Sequence, residues 1–260
     1  MNNPFNPSFG KVPNIFLDRT HAVTKLSNEL QDPNSPYQTT LIYGVRGVGK
    51  TSLLTDIGNK MSAKKNWLVV NLATNYNVLQ TLIDSICQKS SPEIKKLLDK
   101  IEGIKLSAFG IQFEYRLQEL TETNYQILLE NILDKLQAKN ISLLVTIDEV
   151  DPTPEIKNFI SLYQLLIREN YQISLIMTGL PNKLSELQND DVLTFLLRSA
   201  RMQLSSLDLL SIKHSYQDTF AKKGIAISDD VLVAMVKKPR DMPILFNYWD
   251  IYCGKLLIKR

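Results

Sequence analysis

The chain has 260 residues, of which 44% are hydrophobic and 22% charged, and its formal net charge is +3. These values exclude a disordered, collagen-like or charge-dominated chain, and the charge is too small to indicate nucleic-acid binding by itself. Its apolar runs are far shorter than the roughly 18 residues that cross a bilayer. The two cysteines, Cys87 and Cys253, are too few for a disulfide framework or a metal cluster. We therefore expect a cytoplasmic globular protein with no membrane contact.

Strand-like and helix-like patterns alternate along the first four fifths of the chain. Continuous apolar runs and β-branched residues predict strands, while apolar residues spaced three and four apart predict helices. The predicted strands cover 39–43, 67–72, 141–147, 173–177 and 201–204. The predicted helices cover 77–88, 92–101, 124–137 and 155–168. Another helix is predicted after a cluster of glycines that follows the first strand. A hairpin is predicted at 103–116.

From residue 208 the pattern becomes entirely helical, with predicted helices at 209–222, 229–236 and 243–257. Strands separated by helices imply crossover connections and a parallel sheet that is covered on both faces. We therefore predict a three-layer α/β/α domain over residues 1–207 and a small helical lid over residues 208–260. The lid segment carries the whole excess of positive charge, which indicates either a solvated helix face or the approach to a further domain.

The most specific motif is a glycine cluster between the first predicted strand and the following helix, GVRGVGKT over residues 44–51. It fits the pattern G-x-x-x-x-G-K-[ST] in the required strand-to-helix context. Glycine lets successive backbone N–H groups surround a phosphate, and the helix N-terminus adds its dipole. The motif predicts that the chain binds a nucleoside triphosphate, with Lys50 on the β- and γ-phosphates and Thr51 on Mg²⁺. The expected nucleotide-contacting residues are Gly44, Val45, Arg46, Gly47, Val48, Gly49, Lys50, Thr51 and Ser52.

Two acids, Asp148 and Glu149, directly follow the apolar run at 141–147. The carboxyl end of a central parallel strand lies at the ligand-binding edge of the sheet. We predict that Asp148 contacts Mg²⁺ directly or through water, and that Glu149 is the general base for an attacking water. Thr178 ends the next apolar run. It either bonds to the γ-phosphate or the water, or it only terminates a strand.

With both motifs in place, the chain resembles AAA+ P-loop ATPases, in the branch of archaeal and bacterial ATPase-domain proteins, origin-recognition initiators and STAND signalling NTPases. Segment 13–19, PNIFLDR, followed by a helix, is similar to an amino-terminal box of that branch that packs near the adenine. The predicted hairpin is another shared feature, and Thr178 occupies the sensor 1 position. Segment 238–244, KPRDMPI, resembles the sensor 2 motif of the lid, with Arg240 as the sensing arginine.

The resemblance implies ATP and Mg²⁺ as cofactors and ATP hydrolysis coupled to a conformational switch or to homo-oligomer assembly. It also implies an arginine presented to a neighbouring subunit. Arg198 is the main candidate, with Arg201 close by, and an ordinary surface arginine or salt bridge is the alternative. Three departures from the family pattern predict slow or assembly-dependent turnover: LDRT in the box, threonine at sensor 1, and lysine before the proline of sensor 2.

Two other functions stay open from the sequence. One is a nucleotide-gated DNA-binding scaffold or initiator-like protein with little or no hydrolysis, although no segment combines clustered cations with aromatic residues. The other is a small-molecule kinase, which the acidic pair Asp148 and Glu149 disfavours against an ATPase.

Overall fold

The computed structural model describes residues 19–73, 77–101, 122–205, 209–221, 224 and 226–237. Its strands are β1 (Thr39–Tyr43), β2 (Trp67–Leu72), β3 (Ser142–Ile147), β4 (Ile173–Gly179) and β5 (Ala200–Gln203). Within the described residues these five strands form one parallel sheet in the order β2-β3-β4-β1-β5. The predicted α/β fold with a central parallel sheet is confirmed, and each predicted strand is found to within two residues at either end.

The described helices are α1 (Thr20–Glu29), α2 (Lys50–Ser62), α3 (Val78–Lys89), α4 (Pro92–Leu98), α5 (Glu122–Gln137), α6 (Pro154–Arg168), α7 (Pro181–Gln188), α8 (Leu209–Ala221) and α9 (Asp229–Lys237), with 3-10 turns at Pro36–Gln38 and Thr194–Arg198. The turn before β5 and the short α7 lie outside the predicted elements. The predicted hairpin at 103–116 and the last predicted helix at 243–257 lie outside the described residues. None of the described helices is long and apolar enough to span a membrane.

Two apolar layers cover the sheet, one on each face. On one face, alternate strand residues such as Leu143 and Val145 pack with buried side chains of α3 to α7. On the other face, Leu144 and Ile176 pack with α1 and α2. The alternation arises because successive side chains of a strand point to opposite faces of the sheet. The strands are nearly continuous apolar runs because both faces are buried.

The strand order decides which loops meet at the carboxyl edge of the sheet. Strand β4 lies between β3 and β1, with Gly179 aligned with Tyr43 and Met177 aligned with Ile147. The residues that leave the carboxyl ends of β1, β3 and β4 are therefore neighbours in space. Such an edge is where open α/β sheets bind ligands.

Helices α8 and α9 pack against each other, and a salt bridge of 2.7 Å joins Lys213 to Asp229. Their buried side chains belong to neither of the two layers on the sheet: Tyr216, Phe220, Leu232, Met235 and Val236. The domain boundary between residues 207 and 208 stays a prediction.

Asp84 on α3 supplies a test of how burial affects the stability of this fold. Its Oδ1 is buried and has no hydrogen-bond partner among the described residues, and burial raises the pKa of its carboxyl group. Because burying a negative charge costs more than burying a neutral amide, we expect Asp84→Asn to raise the free energy of unfolding by about 1 kcal/mol at pH 7. Urea unfolding measures the difference.

The pH dependence of this gain follows from the sign of the shift. In the folded protein Asp84 takes up its proton at a pH above 3.8, the ordinary carboxyl pKa. Its negative charge therefore destabilises the fold fully only at a pH above the raised pKa. The advantage of Asp84→Asn should therefore shrink as the pH falls towards 3.8. The exposed carboxylate of Asp191 gives the matched control, Asp191→Asn, for which no comparable gain is expected. An equal gain in both variants would contradict the assignment.

Candidate functional site

The loop between β1 and α2 is a tight turn that needs glycine for two different reasons. At Gly44 a Cβ atom would lie 2.5 Å from the carbonyl oxygen of Leu204 and 2.9 Å from Cγ2 of Val48, so there is no space for a side chain. At Gly49 the backbone φ is +90°, a left-handed conformation that other residues rarely adopt. The glycine spacing of the motif thus corresponds to steric requirements of this loop.

Helix α2 begins directly after the loop with an open N-terminus. Its N-cap residue, Gly49, supplies no capping side chain, and no acidic residue lies in the first turn. The first backbone N–H groups of a helix have no partner within the helix, and the helix dipole is positive at this end. The loop and the start of α2 can therefore bind an anion such as a phosphate.

Lys50, the first residue of α2, is buried with 7% of its surface exposed. Its Nζ donates hydrogen bonds to the carbonyl oxygens of Gly44 at 2.9 Å and Val45 at 3.0 Å. Burial lowers the pKa of its ammonium group, while the charges of Glu149 and then Asp148 oppose that shift. The ammonium group thus lies against the loop on neutral carbonyl oxygens, where an arriving phosphate can offer it an anionic partner.

The carboxylate of Asp148 joins α2 to β4. Thr51 Oγ1 donates a hydrogen bond to Asp148 Oδ2 at 2.6 Å. Thr178 Oγ1 donates to the other oxygen, Asp148 Oδ1, and Thr178 has no exposed surface. The structure therefore brings these three predicted site residues together, and the hydroxyl proton of Thr178 is directed to Asp148.

Glu149 is exposed and has a left-handed backbone conformation, with φ of +49°. Its N–H donates to Asp148 Oδ1 at 3.1 Å and to Thr178 Oγ1 at 3.2 Å. Val150 N–H then donates to the Thr178 carbonyl oxygen at 2.8 Å. A non-glycine residue in this region carries about 1–3 kcal/mol of strain, and such residues cluster at functional sites. The hydrogen bonds from Glu149 and Val150 hold the strained turn in place.

The oxygen atoms of Thr51 and Asp148 suit a hard cation such as Mg²⁺. Mg²⁺ usually keeps several water ligands and uses one or two protein oxygens together with substrate phosphates. The described residues contain no group of three or more His, Cys, Asp or Glu side chains that could hold a metal by itself. The donor set fits a magnesium ion that arrives with a nucleotide better than a resident metal centre.

The remaining predicted residues lie in different places. Ser52 is half-buried in the first turn of α2, and Val45 and Arg46 are exposed on the loop. Arg198 is exposed in the 3-10 turn that precedes the amino end of β5, so it lies roughly 15 Å along the sheet from the loop. Within one chain the structure does not bring Arg198 to the site. Arg240 and the segment before residue 19 lie outside the described residues.

One residue at this site has a contact that the sequence does not predict. Arg19, directly before α1, is half-buried, and its Nη2 donates to the carbonyl oxygen of Val48 at 2.8 Å and to that of Ser205 at 3.1 Å. The resemblance placed the segment 13–19 near an adenine, but it gave no reason to expect a bond from Arg19 to the phosphate loop itself.

A comparison with protein families agrees with this geometry. The family model described as the bacterial DnaA ATPase domain matches residues 18–159, more than half of the chain. This chain belongs to the bacterial DnaA ATPase domain family. The resemblance to AAA+ P-loop ATPases of the origin-recognition branch is confirmed.

Relatives of this DnaA-type domain include much longer proteins. The chromosomal replication initiator protein DnaA of Borreliella afzelii is 31% identical over an alignment of 128 residues that covers 42% of this chain and 26% of that protein. The match to this chain thus covers about a quarter of the length of such DnaA relatives.

Solved structures with the same fold include AMPPCP-bound DnaA from Aquifex aeolicus, with a TM-score of 0.54 and 14% identity over 99% of this chain and 66% of that one. They also include the Aeropyrum pernix ORC1 protein in complex with DNA, with a TM-score of 0.56 and 14% identity over 96% of this chain and 62% of that one. At these identities the similarity supports the P-loop α/β fold.

The position of Thr178 between Asp148 and Glu149 generates a prediction. Thr178→Val keeps the side-chain shape but removes both the donor to Asp148 and the acceptor for the Glu149 N–H, whereas Thr178→Ser keeps the hydroxyl. We expect the valine variant to lose about 1 kcal/mol of unfolding free energy, because the half-buried carboxylate of Asp148 loses a hydrogen bond. Urea unfolding of both variants tests this. Equal stability of the valine and serine variants would show that the hydroxyl has no such role.

Proposed function

We propose that this DnaA-type domain binds Mg-ATP at the loop Gly44 to Thr51 and hydrolyses it slowly, as a switch between conformations or assembly states. The observation that carries the proposal is the meeting of Lys50, Thr51 and Asp148 at one edge of the sheet, with Thr51 and Asp148 bonded at 2.6 Å. Membership of an ATPase-domain family supports nucleotide binding in general.

In the proposed complex the phosphates lie on the loop backbone and on the open start of α2. Lys50 Nζ exchanges its two neutral carbonyl partners for oxygens of the β- and γ-phosphates, since charge-assisted hydrogen bonds are the stronger ones. Thr51 and Asp148 would hold Mg²⁺ directly or through water. When bound, the ion would neutralise charge on the β- and γ-phosphate oxygens.

In the proposed reaction a water oxygen attacks the γ-phosphorus atom and the bond to the bridging β–γ oxygen breaks, which yields ADP and inorganic phosphate. Glu149 is the proposed general base, and its carboxylate receives a proton from the water. Thr178 is proposed to position Asp148 and the Glu149 backbone. A separate contact from Thr178 to the γ-phosphate would require its hydroxyl to leave Asp148.

The test is Mg-ATP turnover over a series of protein concentrations. Lys50→Ala should weaken ATP binding about 10- to 100-fold, because one charge-assisted contact contributes about 1.5–3 kcal/mol. Glu149→Gln should bind ATP normally but lose about 10²- to 10⁴-fold in turnover, the usual contribution of a general base. Glu169→Gln, the same chemical change on an exposed residue after α6, should match the wild type.

The outcomes separate binding from catalysis. Turnover that rises steeply with concentration and is lost in both site variants supports an assembling ATPase. Tight ATP binding with no turnover at any concentration would contradict the role of Glu149. It would favour the nucleotide-gated scaffold, for which DNA binding with and without ATP is then the measurement.

The proposed assembly requires an arginine from a neighbouring subunit, and Arg198 is the candidate. Its exposed position, roughly 15 Å along the sheet from its own loop, disfavours a contact with the nucleotide of the same chain. Arg198→Ala and Lys50→Ala should each be inactive alone. A mixture should regain turnover, because the Lys50→Ala subunit supplies Arg198 to an intact site on its neighbour.

The size of the loss distinguishes an arginine acting in trans from a surface arginine. Arginines that act in this way contribute about 10³- to 10⁵-fold to turnover. Arg168→Ala, on the exposed last turn of α6, serves as the control for removal of a surface cation. Wild-type turnover of Arg198→Ala at every concentration, or no recovery in the mixture, would exclude Arg198.

A further inference from the structure

Arg19 is a half-buried cation without an acidic partner among the described residues. None of the described salt bridges includes it, and burial lowers the pKa of its guanidinium group. Its Nη2 instead bonds to two backbone carbonyl oxygens, Val48 at 2.8 Å and Ser205 at 3.1 Å. Within the described part of the chain its hydrogen-bond partners are therefore neutral, and burying a cation against neutral partners is costly.

The two carbonyl groups belong to segments that are far apart in sequence. Val48 lies at the end of the phosphate loop, just before Gly49 and α2. Ser205 follows β5, and α8 begins four residues later at Leu209. Arg19 therefore joins the loop that faces the nucleotide to the chain that leads into the C-terminal helices.

A second contact joins the same two segments at the other end of the loop. Leu204 N–H donates to the Tyr43 carbonyl oxygen at 2.8 Å. The carbonyl oxygen of Leu204 lies so close to Gly44 that a Cβ there would approach it to 2.5 Å. The chain leaving β5 is thus held against the first residue of the phosphate loop by backbone contact, and against the last part of the loop by Arg19.

We propose that Arg19 is a positioning residue that couples the phosphate loop to the segment from Ser205 to α8. The proposal rests on the proposed function, since it assumes that a nucleotide binds at the loop. Lys50 must leave the carbonyl oxygens of Gly44 and Val45 to reach a phosphate, and that exchange changes the forces on the loop backbone. Arg19 carries the resulting displacement of the Val48 carbonyl to Ser205, the last described residue before α8.

A guanidinium group is suited to this role because its N–H groups have fixed relative directions. One Nη can donate to two acceptors at the same time, and the side chain is always charged. Lysine at the same place would keep the charge but not the planar geometry. The proposal therefore predicts a graded effect, in which Arg19→Lys retains part of the coupling and Arg19→Met retains none.

The experiment is hydrogen exchange of the full chain with and without Mg-ADP, followed in peptides from the loop 44–51 and from 205–221. In the wild type, nucleotide should slow exchange in both segments, by about fivefold or more in 205–221, as expected for a coupling of ordinary size. In Arg19→Met the loop should still be protected, at an ADP concentration that saturates the variant, while protection of 205–221 falls to the level without nucleotide. Arg168→Met, which removes an exposed arginine from α6, should behave as the wild type.

The outcomes also separate this inference from the proposed function. Absence of loop protection in the wild type would overturn the proposed nucleotide binding and this inference with it. Protection of both segments in Arg19→Met would overturn the inference and leave nucleotide binding intact. If Arg19→Met does not fold, Arg19→Lys gives the same decision, because wild-type protection of 205–221 in that variant would contradict a role for the planar guanidinium group.

Discussion

The candidate site depends on one carboxylate, that of Asp148, whose two oxygens bond to different elements. Oδ2 accepts from Thr51 at the start of α2, and Oδ1 accepts from Thr178 in β4 and from the Glu149 N–H. Strand β4 lies between β3 and β1, so Thr178 is in the middle strand across which the acid and the phosphate loop must meet. Loss of this carboxylate would disconnect the loop from the turn that carries Glu149.

The carboxyl edge of the sheet also holds two cations, Lys50 and Arg19, whose burial is energetically unfavourable. Lys50 and Arg19 are both buried enough that their pKa values are lowered, with burial the largest cause in each case. Both donate to carbonyl oxygens of the phosphate loop, and Glu149 adds backbone strain. A polyanion bound at the loop would give Lys50 a charged partner and would place negative charge near Arg19. Its binding would therefore offset costs that the free chain already bears.

Patterns of neighbouring residues predict the strands and the phosphate loop. They do not predict contacts that depend on the order of the strands in the sheet. The apolar run before Asp148 and the glycine spacing at 44–51 are properties of neighbouring residues, and the structure has a strand at the first and a strand-to-helix turn at the second. Ile127 belongs to the apolar pattern of the predicted helix 124–137, yet it is 52% exposed because α5 packs through other apolar positions, including Leu128 and Leu133. The bond from Arg19 to Ser205 spans 186 positions and follows no periodicity, so only the fold reveals it.

These features bear on how fast the proposed hydrolysis can be. The single hydroxyl proton of Thr178 is already donated to Asp148, so in this arrangement Thr178 has none left for a phosphate oxygen. In the proposed reaction the water is activated by Glu149, an exposed side chain whose backbone N–H is bonded to Asp148 and Thr178. Arg198 precedes the amino end of β5, whereas the phosphate loop follows the carboxyl end of the neighbouring strand β1. Because Arg198 lies away from its own loop, the arginine contact of the proposed reaction has to come from a neighbouring subunit. This favours an ATPase that is slow until a neighbour completes its site.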